Sequence, residues 1–145
     1  MERLKIENEE ETRKFGEALA RGLSAGDVIA LVGELGTGKT TLVKYIAREL
    51  GVKEEVTSPT FILIREYKSG RLPLYHFDMY RISGWQEAHG LGAEEYFHGN
   101  GVSIVEWADR IPEIIPETST VIRMFYGESE FERIYEIYRP EAAKS

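Results

Sequence analysis

Apolar positions along the chain alternate between two periods. Phe15, Leu19 and Leu23 recur at helical spacing, and Asn8 followed three residues later by Glu11 makes a capping-box-like start. This predicts a helix from Asn8 to about Leu23, preceded by a short strand over residues 2–7. Val28-Ile29-Ala30-Leu31-Val32 is a continuous apolar run of strand length, opened by Asp27. Leu42, Val43, Ile46, Ala47 and Leu50 then return to helical spacing, and Gly51 closes that helix. Residues 61–68 alternate, Ser69-Gly70 turns, and residues 72–78 return, which predicts a hairpin and hence one antiparallel pair. Pro73 suits an edge or irregular position in it. Residues 86–98 are weakly helical and interrupted by Gly90 and Gly92. Val102 to Glu106 has the composition of a buried strand, and residues 121–126 and 131–138 form a closing hairpin around Gly127-Glu128. No repeat or linker divides the chain, so one domain is expected over residues 1–139, with 140–145 as a frayed tail.

The 145 residues suit one domain, and a hydrophobic fraction of 42% is enough for a real core. Twenty-five acidic residues against 18 basic ones give a net charge of −7. Tight free-standing binding to DNA or RNA needs clustered Lys and Arg, so it is not expected. An acidic chain still acts on RNA through a basic partner. There is no Cys, which removes disulfides and cysteine metal sites. The start, Met1-Glu2-Arg3-Leu4-Lys5, lacks a secretory apolar stretch, and no apolar run is long enough for a bilayer. A soluble cytoplasmic protein without membrane contact is expected.

Chemistry concentrates at residues 33–41, Gly-Glu-Leu-Gly-Thr-Gly-Lys-Thr-Thr. They match the phosphate-binding pattern G-x-x-x-x-G-K-[ST] at Gly33, Gly38, Lys39 and Thr40. The glycines let the backbone curl so that successive N–H groups point inward at a polyphosphate. Lys39 supplies a point charge for the β and γ phosphates, and the Thr40 hydroxyl suits Mg²⁺. The helix behind the loop presents its positive dipole end to the same anion. The flanks carry the specificity: strand, glycine loop, helix is the context this motif requires.

Such a loop needs an acid to orient Mg²⁺ and its waters. Asp78 and Glu106 both end mainly apolar strands. Ligands in open α/β sheets collect beyond the carboxyl ends of parallel strands. Glu106 fits that position, because its strand follows a crossover. Asp78 lies on the return strand of a hairpin, so its direction is left open. Asp27 opens its strand and lies at the wrong end of the sheet.

Four stretches carry a resemblance. They are the phosphate loop, Val56-Thr57-Ser58-Pro59-Thr60-Phe61, Tyr75-His76-Phe77-Asp78-Met79-Tyr80-Arg81, and Val105-Glu106-Trp107. In this order and spacing the chain closely resembles the TsaE (YjeE) family of bacterial ATPases, over roughly Asn8 to Tyr138. The resemblance implies an α/β, P-loop NTPase-type three-layer sandwich whose mixed sheet has a parallel core and antiparallel hairpins. It implies ATP hydrolysis with Mg²⁺ in support of TsaB and TsaD, which together make the threonylcarbamoyl modification of the tRNA adenosine next to the anticodon. The tRNA would be reached only through that complex.

Site residues carry over with it. Gly33, Glu34, Leu35, Gly36, Thr37, Gly38, Lys39, Thr40 and Thr41 would cradle the nucleotide. Thr40 and Glu106 would hold Mg²⁺, with Asp78 at the ion through water or at the attacking water. Thr57 to Thr60 resembles a switch loop reaching for the γ-phosphate. Thr12 would lie near the adenine and Arg133 would flank it, while Trp107 is the aromatic beside the catalytic acid.

Each secondary assignment has a plainer rival. Thr12 suits a helix surface, Trp107 suits packing, and Arg81 suits either transition-state charge or an ordinary ion pair. His76, His89 and His98 lack metal-ligand spacing, so no zinc is expected. Two rival functions stay open: a small-molecule kinase, and a nucleotide-gated binding module whose hydrolysis only resets docking. A GTPase is disfavoured, since no N-K-x-D motif is present.

Overall fold

The computed structural model describes residues 1–57 and 63–140. Among the described residues seven strands form one sheet in the order β1-β7-β6-β2-β5-β4-β3. They are β1 (Glu2–Ile6), β2 (Val28–Gly33), β3 (Ile64–Tyr67), β4 (Leu74–Asp78), β5 (Val102–Glu106), β6 (Thr120–Tyr126) and β7 (Arg133–Tyr138). The helices are α1 (Glu9–Arg21), α2 (Lys39–Glu49), α3 (Trp85–Gly90) and α4 (Ala93–Phe97). β6, β2, β5 and β4 run parallel, while β7, β1 and β3 join antiparallel at the two edges. The expected parallel core with antiparallel hairpins is therefore observed.

Side-chain alternation assigns the two faces. Ile29 and Leu31 of β2 and Val102 and Ile104 of β5 pack with Leu42, Val43 and Ile46 of α2 and Ala20 of α1. Val28, Ala30, Phe77 and Val105 point the other way, into a second core with Ala88, Ala93 and Phe97 of α3 and α4. Central strands buried on both faces explain the continuous apolar runs. At the start of α1 Asn8 accepts a hydrogen bond from the Glu11 backbone N–H (3.0 Å), and Glu11 Oε1 accepts one from the Glu7 N–H (2.6 Å). The side chain of the expected box thus reaches one residue further back.

The weakly helical residues 86–98 are two short helices, with the expected break at Gly92, which has φ +83. Residues 108–110 and 112–114 form two 3-10 turns, for which apolar periodicity supplied no signal. The open direction of residues 74–78 is resolved: β4 runs parallel to β5, with Asp78 opposite Glu106. Both acids therefore end at the same edge of the sheet as the loop after β2.

Candidate active site

β2 ends at Gly33, and the chain curls through Glu34–Gly38 into the first turn of α2. Gly38 caps that helix at φ +95, a left-handed conformation that glycine adopts without a Cβ penalty. Gly33 is needed for closeness rather than conformation. A Cβ there would lie 2.6 Å from the Met124 carbonyl oxygen and 2.9 Å from Thr37 Oγ1. The loop is also held from outside. The Tyr126 hydroxyl donates to the Leu35 carbonyl, and Arg133 lies over the Tyr126 ring (5.0 Å) while donating to the Gly36 carbonyl (3.4 Å).

Lys39 turns back into the loop it follows. Its Nζ donates to the carbonyls of Gly33 (2.6 Å) and Glu34 (2.8 Å) and to Thr37 Oγ1 (3.4 Å). The Trp107 ring covers it at 4.2 Å, a cation–π contact. Burial lowers its pKa below the ordinary amine value, and Glu106, Asp109 and Asp78 oppose that shift by their charge. The result is a desolvated lysine folded back onto the carbonyls of its own loop.

One turn of helix places Thr40 beside the end of β5. Its Oγ1 donates to both oxygens of Glu106, at 3.0 and 3.1 Å. Glu106 is only 3% exposed, and a buried carboxylate is costly without hydrogen-bond partners. Its second partner is His76, fully buried on β4, whose Nε2 lies 2.5 Å from Glu106 Oε2. Asp78, two residues along the same strand face, accepts a hydrogen bond from the Tyr80 N–H (3.0 Å) and lines the cleft.

β5 ends in an abrupt reversal. Trp107 has φ +59 and ψ +41, the one positive φ at a described non-glycine residue. A bulky side chain there costs about 1–3 kcal/mol. The strain brings the indole across the cleft onto Lys39 and against Tyr80, at 4.7 Å between rings. Arg110 covers the outer side of both rings, at 5.5 and 5.7 Å.

These groups line a cleft of about 450 Å³ with Gly36, Gly38, Thr41, Leu63 and Arg81. It thus brings together Lys39, Thr40, Asp78, Glu106 and Trp107 from three separate stretches of sequence. Gly33, Glu34 and Thr37 face a neighbouring cavity of about 410 Å³, from which Trp107 divides the cleft. Arg133 sits at the rim, on Gly36. Thr12 is not in the cleft lining: it is 7% exposed and hydrogen-bonded to Tyr135, whose phenol is pushed up by burial and lowered by that bond. Thr57 is exposed, and Thr60 lies outside the described residues.

The sequence reading missed two contributors. His76 was weighed only as a metal ligand, although its position two residues before Asp78 put it on the same strand face. Tyr126 looked like an ordinary strand residue, and only the closing hairpin's proximity to the loop reveals its hydroxyl contact.

The donor set fits Mg²⁺. Thr40 and Glu106 offer hard oxygens, and no group of three or more His, Cys, Asp or Glu occurs among the described residues that would make an all-protein cage. Mg²⁺ binds through one or two protein oxygens and completes its shell with phosphates and water.

Comparison with known proteins agrees with this chemistry. The family model described as threonylcarbamoyl adenosine biosynthesis protein TsaE matches residues 6–134. The Bacillus subtilis (strain 168) tRNA threonylcarbamoyladenosine biosynthesis protein TsaE is 49% identical over 110 residues, covering 76% of this chain and 68% of that protein. The protein of the same name from Treponema pallidum (strain Nichols) is 41% identical over 115 residues, with 79% and 84% covered. Among solved structures, that of Bacillus subtilis YdiB superposes with a TM-score of 0.79 at 38% identity, covering 96% of this chain and 85% of that one.

Proposed function

The chain belongs to the TsaE family of P-loop ATPases of tRNA threonylcarbamoyladenosine biosynthesis, and we infer from its cleft which residues run the ATP hydrolysis that supports TsaB and TsaD. The observation that carries the reading is the Thr40–Glu106 pair, set one residue from a desolvated lysine at the mouth of a glycine loop. Thr40 and Glu106 would hold Mg²⁺, which would supply positive charge against the negative charge that develops during transfer.

The residues divide the remaining work. The loop N–H groups and the α2 dipole bind the phosphates. Lys39 exchanges its two carbonyl partners for phosphate oxygens, a short movement because both partners belong to the loop itself. Thr40 and Glu106 hold the ion, and Asp78 orients the attacking water from the adjacent strand end. Arg81, lining the cleft beside Asp78, is placed for charge on the transferring group. Thr57 reaches toward the γ-phosphate, and Arg133 flanks the adenine from its position on Gly36. Positioning and charge stabilisation are the main levers for this reaction class.

Partnership with TsaB and TsaD predicts slow hydrolysis by the isolated chain and faster hydrolysis in the complex. Contact with tRNA runs through the partners, in keeping with a net charge of −7. The test follows radiolabelled γ-phosphate with and without purified TsaB–TsaD and tRNA. Inorganic phosphate released faster with the partners is expected. Label on an organic acceptor would establish a kinase instead. Full multi-turnover tRNA modification with a Glu106→Ala chain that binds but does not cleave ATP would reduce hydrolysis to a resetting step.

A further inference from the structure

We propose that His76 is the positioning residue for Glu106, fixing its carboxylate at the magnesium edge of the cleft through a buried Nε2–H donor. The proposal rests on the reading of Glu106 as the acid at the ion.

The argument starts from what an imidazole costs at this place. His76 lies in the middle of β4 and is fully buried. Its β5 neighbour in register is Ile104, and Leu74 of its own strand face lies in the apolar core. Volume alone would be served there by Leu or Phe. Nδ1 has no hydrogen-bond partner among the described residues, so one ring nitrogen is buried at a loss. The single polar return among the described residues is the 2.5 Å contact of Nε2 with Glu106 Oε2. An ionised carboxylate only accepts, which makes Nε2 the protonated nitrogen and Nδ1 the bare one.

The geometry says what the contact does. Thr40 Oγ1 donates to both carboxylate oxygens of Glu106. When Thr40 turns a lone pair to a metal ion, that donation changes, and Glu106 would be free to rotate about its side chain. The His76 bond comes from a different strand and does not involve Thr40, so it persists through the exchange. Glu106 is thereby held at the cleft edge beside Asp78, its register partner. Outer partners of this kind typically affect metal affinity or activity about 10- to 100-fold.

The first test needs no turnover. In the full chain labelled with ¹⁵N-histidine, His76 should show the Nε2–H tautomer, with a slowly exchanging imidazole proton that disappears in Glu106→Ala. A His76 ring in the other tautomer, or an unchanged signal in Glu106→Ala, overturns the proposal. The second test compares His76→Leu and His76→Gln, the latter restoring a donor near the Nε2 position. Affinity for ATP in EDTA should stay within about twofold in both. The Mg²⁺ concentration for half-maximal tightening of ATP binding should rise about 10-fold or more in His76→Leu, partly recover in His76→Gln, and be insensitive to His76 in a Glu106→Ala background. Equal losses in Leu and Gln variants, or losses that persist without Glu106, show a packing role and overturn it. If His76→Leu does not fold, the Gln variant and the NMR signal decide. A Glu106→Ala chain with normal turnover and Mg²⁺ dependence would instead remove the reading of Glu106, while leaving the tautomer result standing.

Discussion

Replacing Gly33 by Ala should damage stability and catalysis together, for a reason visible in one contact. The added Cβ would lie 2.6 Å from the Met124 carbonyl oxygen and 2.9 Å from Thr37 Oγ1. Met124 is backbone in β6 and pairs with Gly33 in register, so it cannot swing aside as a side chain would. The end of β2 must retreat by several tenths of an ångström. Overpacking of this kind costs about 1–3 kcal/mol. For a chain of this length that lowers Tm by about 3–10 °C. The same retreat moves the Gly33 carbonyl, one of the two that hold Lys39. Misplacement approaching 1 Å costs on the order of 10²-fold in rate. Gly26→Ala is the control: Gly26 has φ +90 but no atom within 4 Å of an added Cβ, and it lies outside the cleft. It should lose about 1–2 kcal/mol by backbone strain and keep its turnover. Scanning calorimetry and phosphate release on both variants make the comparison. A Gly33→Ala protein with wild-type Tm and turnover would refute the close-approach reasoning.

Glu106→Ala should abolish turnover while nucleotide binding remains, since the loop is untouched; equilibrium binding beside phosphate release checks this. Lys39→Ala should lose about 10²- to 10³-fold in rate, as removal of a donor aimed at developing charge does. Because burial lowers the Lys39 pKa, the unfolded chain holds a proton that the folded one has released between that lowered value and the ordinary 10.5. The stability of the wild type relative to Lys39→Met should therefore rise as pH climbs through that window, as read by urea unfolding at pH 8 and 10; a constant difference would contradict it. Trp107 stands over Lys39 in the cleft, whereas Trp85 begins α3 and does not line the cleft. A Trp85→Phe chain should keep its fluorescence response to ATP and Mg²⁺, and a Trp107→Phe chain should lose it.

Much of the fold was legible because it is written in local terms. The apolar run before Gly33 and the helical spacing after Thr40 predict β2 and α2 to within a residue or so of where they lie. Asn8 with Glu11 announces the start of α1 through side-chain geometry confined to one turn. The direction of β4 was not legible, since it depends on which strand it joins across the sheet. Once it lies parallel to β5, Asp78 and Glu106 become neighbours although 28 positions separate them. His76 was hidden for the same reason, because its polar partner Glu106 arrives from β5. The reversal at Trp107 was hidden too. Positive φ is announced by glycine in a sequence, and an indole held there by Lys39, Tyr80 and Arg110 carries no such mark. The helical signal over residues 86–98 was weak but legible, because Gly90 and Gly92 mark the break between two short helices.

The central claim is that the Gly33–Thr41 loop grips a purine triphosphate through main-chain N–H groups and the Lys39 ammonium. Isothermal titration of ATP into the full chain, with magnesium present, tests it most directly. Saturable heat at one site per chain, greatly weakened in Lys39→Ala, is the expected result. No heat of association for ATP, alone or with TsaB and TsaD assembled, would contradict it.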